Sequence, residues 1–310
     1  MKRVLVTGAT GFVGRQTLGP LRDRSFEIHA IARRPQSGTA VTWHAVDLLD
    51  ASQLDRIVSE VGATHLLHLA WYAVHGSYWR SPENLRWVEA GSRLVRAFRD
   101  AGGSRAVIAG TCAEYDWNSG LCREDVTPIR PQSLYGVTKD ALHRVVTAYG
   151  AEVGMSVAWG RIFFSFGPHE DPGRLVASVI RSLLAGAPAA VTEGSQARDF
   201  LHVADVGSAF AALVDSDVEG PVNIASGEAR PVREIVKLIG DIVERPDLLR
   251  FGALPTPAGE PPVVAAAVGR LCEEVGWRPQ RTLAAGLTET VDWWRGAEEQ
   301  SRRVDRRCRS

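Results

Sequence analysis

The stretch VTGATGFVG, residues 6–14, decides the fold. Gly8, Gly11 and Gly14 recur three residues apart, with Phe12 and Val13 between the last two. The apolar run RVLV precedes them and GRQTLGPLRDR, a stretch of helical period, follows. A strand that turns at once into a helix points free backbone N–H groups and the positive end of the helix dipole at whatever lies in the turn. Glycines let a ligand come close to that backbone. The pattern predicts a cradle for the pyrophosphate of a dinucleotide, held by Gly8, Gly11, Phe12 and Val13.

Outward from this turn the first half of the chain alternates short apolar runs with amphipathic ones. FEIHAIA, HLLHLA, SRAVIAG and MSVAWGRIFF read as strands, and NLRWVEAGSRLVRAFRDAG as a helix between two of them. Strands alternating with helices predict an α/β fold, a Rossmann-type doubly wound parallel sheet whose ligands bind at the strands' C-terminal edge. After Gly167 the order loosens into helical segments joined by Pro- and Gly-rich loops such as GALPTPAGEPP, which predicts a smaller, mostly helical C-terminal substrate lobe. DFLHVADVGSAFAALV and GPVNIAS read as returns to the first domain. The expected division is a cofactor domain at 1–166 with returns near 200–226, a substrate lobe at 167–199 and 227–297, and a disordered basic tail at 298–310.

The 310 residues balance 36 basic against 36 acidic side chains, so no overall field draws the chain to nucleic acid or to an anionic membrane. No apolar run reaches the ~18 residues of a membrane span. The four cysteines show neither CxxC spacing nor a nearby histidine pair, which argues against a metal site and for reduced thiols in the cytoplasm.

The second strand bears on the cofactor. In HAIARRP the place where an NAD site carries a carboxylate is Ala32, followed by Arg33 and Arg34. Two guanidiniums suit a 2′-phosphate, so NADP is expected over NAD, unless these arginines are only solvated loop residues. Asp47, ending the third strand, is placed either to bond the adenine or to cap a helix. Leu48, Leu69 and Ala70 complete the expected cofactor wall.

SLYGVTKDAL puts Tyr135 and Lys139 four apart at a helix start, hence on one face. A neighbouring ammonium favours the phenolate and makes the pair an acid–base device. Only three lysines occur in the chain, which makes the spacing more telling. AGTCAEYDW, residues 109–117, leaves the preceding strand and offers Thr111 as a hydroxyl for the same substrate oxygen. Trp71, Tyr72, His75, Tyr78 and Trp79, just after the fourth strand, either line a sugar pocket or pack beneath a loop. Cys112 is either a proton donor or a small core thiol.

VTGATGFVG, YGVTK, RDFLHVADV and VGWRPQRTLAAGLTETVDWW together resemble the extended short-chain dehydrogenase/reductases, the nucleotide-sugar epimerases, dehydratases and reductases. The resemblance implies Thr111, Tyr135 and Lys139 as the catalytic set, Arg198 as a contact for the substrate's diphosphate, and a homodimer. In the 4,6-dehydratases the threonine is followed by Asp and Glu; Cys112 and Ala113 stand here, so dehydration lacks its proton carriers. Phe164 replaces an asparagine that holds the diphosphate in the family, and Pro257 stands where an arginine is expected. The expected activity is NADPH-dependent reduction of a keto group on a nucleotide-linked 4-keto-6-deoxy sugar. A redox-neutral nucleotide-sugar epimerase is the alternative, and a non-catalytic NADP-binding sensor a third.

Overall fold

The computed structural model describes residues 2–34, 36 and 40–307. The first half supplies strands β1 (Arg3–Thr7), β2 (Glu27–Ala32), β3 (Thr42–Ala45), β4 (His65–His68), β5 (Arg105–Thr111), the two-residue β6 (Leu121–Cys122) and β7 (Ser156–Ile162). Between them run helices α1 (Gly14–Asp23), α2 (Ala51–Val61), α3 (Glu83–Asp100) and α4 (Leu134–Val153). The second half adds β8 (Phe164–Phe166), α5 (Leu175–Leu184), β9 (Ala189–Ala190), β10 (Ala197–His202), α6 (Val203–Val214), β11 (Gly220–Ile224), β12 (Ala229–Pro231), α7 (Val232–Val243), β13 (Leu249–Arg250), β14 (Val263–Ala266) and α8 (Leu283–Arg307).

Seven of these strands form one parallel sheet in the order β11-β7-β5-β4-β1-β2-β3. Alternation along each strand sends side chains to opposite faces. Val4, Val6, Val107 and Phe210 pack in a core with α1 and α6 on one side, and Leu5, Leu66, Ile108 and Trp159 pack under α2, α3 and α4 on the other. The strand order reverses between β1 and β4, and the crevice left there opens at the strands' C-terminal ends.

α6 and β11 belong to this sheet layer although the chain reaches them only after leaving it. β11 pairs with β7 at the sheet edge, and α6 is buried along nearly its whole length. Arg105 at the start of β5 ties the helix end down: its buried guanidinium donates to the carbonyls of Leu213 (2.6 Å), Val214 (3.1 Å) and Val218 (3.0 Å). A cation at a helix C-terminus meets the unpaired carbonyls and the negative end of the dipole.

The C-terminal lobe is mostly helical. α5, α7 and α8 enclose a separate apolar core that includes Phe166, Ile180, Val191, Ile235 and Trp294. Beside it lies a small sheet in the order β12-β10-β14-β6, with β8 paired to β10. α8 continues as helix to Arg307, through the basic run for which the sequence suggested disorder from 298; residues 308–310 lie outside the described ones.

Candidate active site

The glycines of residues 6–14 are where the backbone passes closest to itself. Gly8 has φ +72°, and a Cβ on it would stand 2.7 Å from the Ala70 nitrogen and 2.9 Å from the Leu69 carbonyl carbon. A Cβ on Gly14 would stand 2.0 Å from the Gly8 carbonyl oxygen. Only glycine therefore lets the β1–α1 turn lie against the end of β4. α1 begins at Gly14 with Val13 as its N-cap and no side-chain cap; the Arg15 N–H donates to the Gly11 carbonyl (3.2 Å) and the Gln16 N–H to the Val13 carbonyl (3.0 Å), so what the helix start offers the turn is chiefly the positive end of its dipole. This backbone cradle fits a dinucleotide pyrophosphate.

Around it, Leu48 and Ala70 are buried, and Asp47 turns its carboxylate onto the Leu49 N–H (3.0 Å). The cap of α2 is Asp50, which accepts from Ser52 and Gln53, so Asp47 has no capping task. Arg33 and Arg34 stand exposed beyond the end of β2.

On the other side of the crevice stand the proposed acid–base residues. Ser133 caps α4 by accepting from the Gly136 N–H (3.1 Å), which sets Tyr135 in the first turn and Lys139 one turn on. A Cβ on Gly136 would lie 2.4 Å from the Ala113 carbonyl, so the glycine lets α4 come down onto the turn after β5. That brings Tyr135 beside Thr111. Burial raises the Tyr135 phenol and the Thr111 hydroxyl pulls it back. Lys139 is buried; its ammonium donates to the Ala109 carbonyl (2.8 Å) and lies 3.8 Å from the centre of the Trp71 ring. Burial lowers it to about 7. The ammonium therefore faces a carbonyl and an indole rather than the phenol, which differs from the direct tuning expected from the sequence.

The turn after β5 carries a network that the sequence did not disclose. Glu114 is fully buried and accepts from the Thr111 N–H (2.8 Å), the Trp159 indole (3.0 Å) and Arg161 Nε (2.7 Å). Burial pushes the Glu114 carboxyl up, and Arg161 with these donors opposes the shift. Arg161 also donates to the Tyr115 hydroxyl (2.9 Å), which donates to Asn223 (2.8 Å) on β11. The carboxylate nearest Thr111 in sequence is thus engaged in the interior, not presented to substrate. Cys112 is buried and burial pushes its thiol up, so it stays protonated.

The aromatic stretch 71–79 lies over Tyr135. Tyr78 and Trp79 meet the Tyr135 ring edge-on at 5.0 and 5.8 Å between centres. Tyr72 is half-buried, and His75 is exposed and faces Gly173. The stretch is braced by a residue without an obvious signal in the sequence, the buried Asn84, which accepts from the Trp71 indole (2.8 Å) and donates to the Tyr78 and Ser81 carbonyls. Farther out, Arg198 is buried, stands 5.6 Å from the Phe164 ring centre and is ion-paired with Glu260 of the Pro-rich loop. Among the described residues no cluster of His, Cys, Asp and Glu is arranged to hold a metal ion, and no helix is long and apolar enough to cross a membrane.

Residues 4–225 match the model of the NAD dependent epimerase/dehydratase family. The structure of the UDP-glucose 4-epimerase of Thermus thermophilus in complex with NAD is 28% identical, with a TM-score of 0.83 over 95% of this chain and 99% of that one. MoeE5 in complex with UDP-glucuronic acid and NAD is 31% identical, with a TM-score of 0.81 and the same coverage. UDP-glucuronic acid decarboxylase 1 of Danio rerio is 27% identical over 94% of this chain and 72% of that protein. These findings overturn two expectations. The neighbours carry NAD, not NADP, and they are epimerases and decarboxylases rather than NADPH-consuming ketoreductases. At β2, Arg33 and Arg34 are exposed residues just past the strand end, and charge at an exposed bend does not by itself commit the cleft to a 2′-phosphate. The chain belongs to the NAD dependent epimerase/dehydratase family, the extended short-chain dehydrogenase/reductases, and is an NAD(P)-dependent oxidoreductase of that group.

Proposed function

We propose that this protein is a redox-neutral epimerase of nucleotide sugars that inverts a hydroxyl-bearing carbon, C4 of the pyranose, and retains its cofactor. The observation that carries the reading is the placement of Glu114. The carboxylate that follows Thr111 is held by Arg161, Trp159 and the Thr111 N–H, and Cys112 and Ala113 fill the two intervening positions. A ketone formed beside Thr111 and Tyr135 then meets no acid–base carboxylate from this turn to expel water, and its re-reduction from the other face completes an epimerisation.

In this reading the Gly8–Gly11–Gly14 cradle and the N-terminal end of α1 hold the pyrophosphate of NAD, with Phe12, Val13, Leu48, Leu69 and Ala70 as walls and Asp47 toward the adenine. The cofactor, when bound, supplies a reversible hydride acceptor. Tyr135 takes the proton from the substrate hydroxyl and returns it, while Thr111 shares a hydrogen bond to the same oxygen. Lys139, one helical turn beyond Tyr135, holds the nicotinamide ribose. Trp71, Tyr72, Cys112 and Phe164 border the sugar, and Arg198 takes the diphosphate once Glu260 yields it. The sheet body thus binds cofactor and borders the sugar, and the C-terminal lobe supplies Arg198 for the diphosphate. A second copy of the chain is assigned to the α3–α4 face, where Leu85, Val137 and Val145 are exposed.

The test is to incubate the purified protein with UDP-glucose and UDP-glucuronic acid, with no added reductant, and to follow products by NMR. Conversion to the C4 isomer without net change in NADH supports the reading. Stoichiometric NAD(P)H turnover, release of CO2 or a 4-keto-6-deoxy product refutes it.

A further inference from the structure

The space between Tyr135 and Arg198 is paved with aromatic rings that proton transfer does not require. Trp79, 5.8 Å from Tyr135, meets Trp117 edge-on at 6.5 Å; Trp117 meets Phe164 at 6.4 Å; and the Arg198 guanidinium stands 5.6 Å from the Phe164 ring centre. One row of rings therefore leads from the phenol to the guanidinium.

These rings are open as well as contiguous. Trp79 is 36% exposed, and Trp117 and Phe164 are half-buried. They are also held in place. The Trp117 indole donates to the Cys112 carbonyl (2.7 Å), and its turn is capped by Asp116, which accepts from the Asn118 N–H (3.1 Å). The Trp79 carbonyl accepts from the Tyr135 N–H (3.2 Å), which ties that ring to the first turn of α4. Rigid, partly open aromatic surface at a site is the form binding surfaces take when side-chain ordering is settled before the ligand arrives.

We propose that Trp79 and Trp117 are the stacking platform for the pyranose ring of the nucleotide sugar. Its ligand class rests on the proposed function, and it adds the residues that recognise the sugar as distinct from the nucleotide. The two indole planes stand at 88°, so the sugar sits in the corner between them with its C–H face on one indole and its edge against the other, its diphosphate end toward Arg198 and its reacting hydroxyl toward Tyr135. Indole faces attract polarised C–H groups and shed water on contact. The choice suits an epimerase. The keto sugar has to offer first one face and then the other to the same hydride position, and contact with an aromatic face is non-directional. A ring held by dispersion can turn without breaking a fixed set of hydrogen bonds.

The experiment is calorimetric binding with the NAD-loaded protein. UDP-, dTDP- and GDP-glucose identify the preferred nucleotide, and the matching nucleoside diphosphate is then titrated beside its sugar form. Trp117→Leu and Trp79→Leu are each expected to weaken the sugar nucleotide at least about fivefold while leaving the free diphosphate within about twofold. Trp117→Phe keeps an aromatic face but not the bond to the Cys112 carbonyl, and is expected to bind the sugar nucleotide within about threefold of the parent. Equal losses for sugar nucleotide and free diphosphate, or no loss for either, would overturn the platform. So would a failure of the parent to bind any sugar form more tightly than its diphosphate. Loss of sugar affinity in the leucine variants of a protein that does not epimerise supports the platform and refutes the proposed function alone.

Discussion

Glu114→Ala tests the claim that a buried ion pair, not the strand itself, sets the turn that presents Thr111. The carboxylate is 0% exposed and its partner Arg161 2%. Truncation leaves the guanidinium with Tyr115 as its side-chain partner and takes the acceptor from the Thr111 N–H and the Trp159 indole. Removing one member of a buried pair costs ~3–5 kcal/mol, because the other charge stays desolvated. Urea unfolding reads this directly, the shift in midpoint multiplied by the slope giving the loss. Glu114→Ala with Arg161→Met removes both charges, so the double variant is expected to lose clearly less than the sum of the two single losses. Turnover of the single variant is expected to fall about tenfold or more, since the Thr111 hydroxyl is then no longer fixed against the reacting oxygen. A loss under ~1 kcal/mol, or strict additivity in the double variant, would show that water or repacking satisfies Arg161 and that the pair does not hold the turn.

Three shorter predictions follow from other parts of the site. Tyr135→Phe is expected to lower turnover by at least about a hundredfold while the protein keeps its NAD, read by absorbance of the coenzyme released on denaturation; retained turnover would move the acid–base role elsewhere. Gly8→Ala, which forces a side chain onto a φ of +72° and against the Ala70 nitrogen, is expected to abolish coenzyme retention and to cost ~1–3 kcal/mol of stability, and a variant purified with a full complement of NAD would contradict the cradle. Lys139 carries a pH signature. Its folded value of about 7 lies below the ordinary 10.5, so between these the unfolded chain holds a proton that the folded chain lacks. Stability therefore rises with pH across that window, and the penalty is complete below about 7. Lys139→Met is expected to be the more stable protein at pH 6, with its advantage shrinking toward pH 9.5; a constant difference across this range would mean that burial of the charge is not the cause.

The parallel sheet and the cofactor turn were legible because their signals are local. Three glycines after an apolar run, and Tyr135 four residues before Lys139, carry their geometry in their spacing. α6 and β11 stand out in the sequence because each is richer in apolar residues than the looser segments around it. What escaped is pairing across distance. Glu114 has no visible partner in the sequence, because Trp159 and Arg161, 45 and 47 residues on, are brought beside it only by β7. Arg198 looked free for a diphosphate, and its partner Glu260 lies 62 residues away in a Pro-rich loop. The cofactor reading failed for a related reason: charge near a strand end does not tell whether the side chains serve a ligand, and Arg33 and Arg34 are exposed.

The late arrival of α6 and β11 has a consequence during synthesis. By about residue 166 most of the large sheet has emerged, yet the helix that covers one of its faces and the strand that closes its edge are still unmade. At roughly 5–20 residues per second the ribosome needs several seconds to deliver them. Throughout that interval β7 is a bare edge, a template for pairing with a neighbouring nascent chain, and the face that α1 shares with α6 is only half covered. A stop or pause between 167 and 202 would thus yield an aggregation-prone fragment rather than a free-standing cofactor domain.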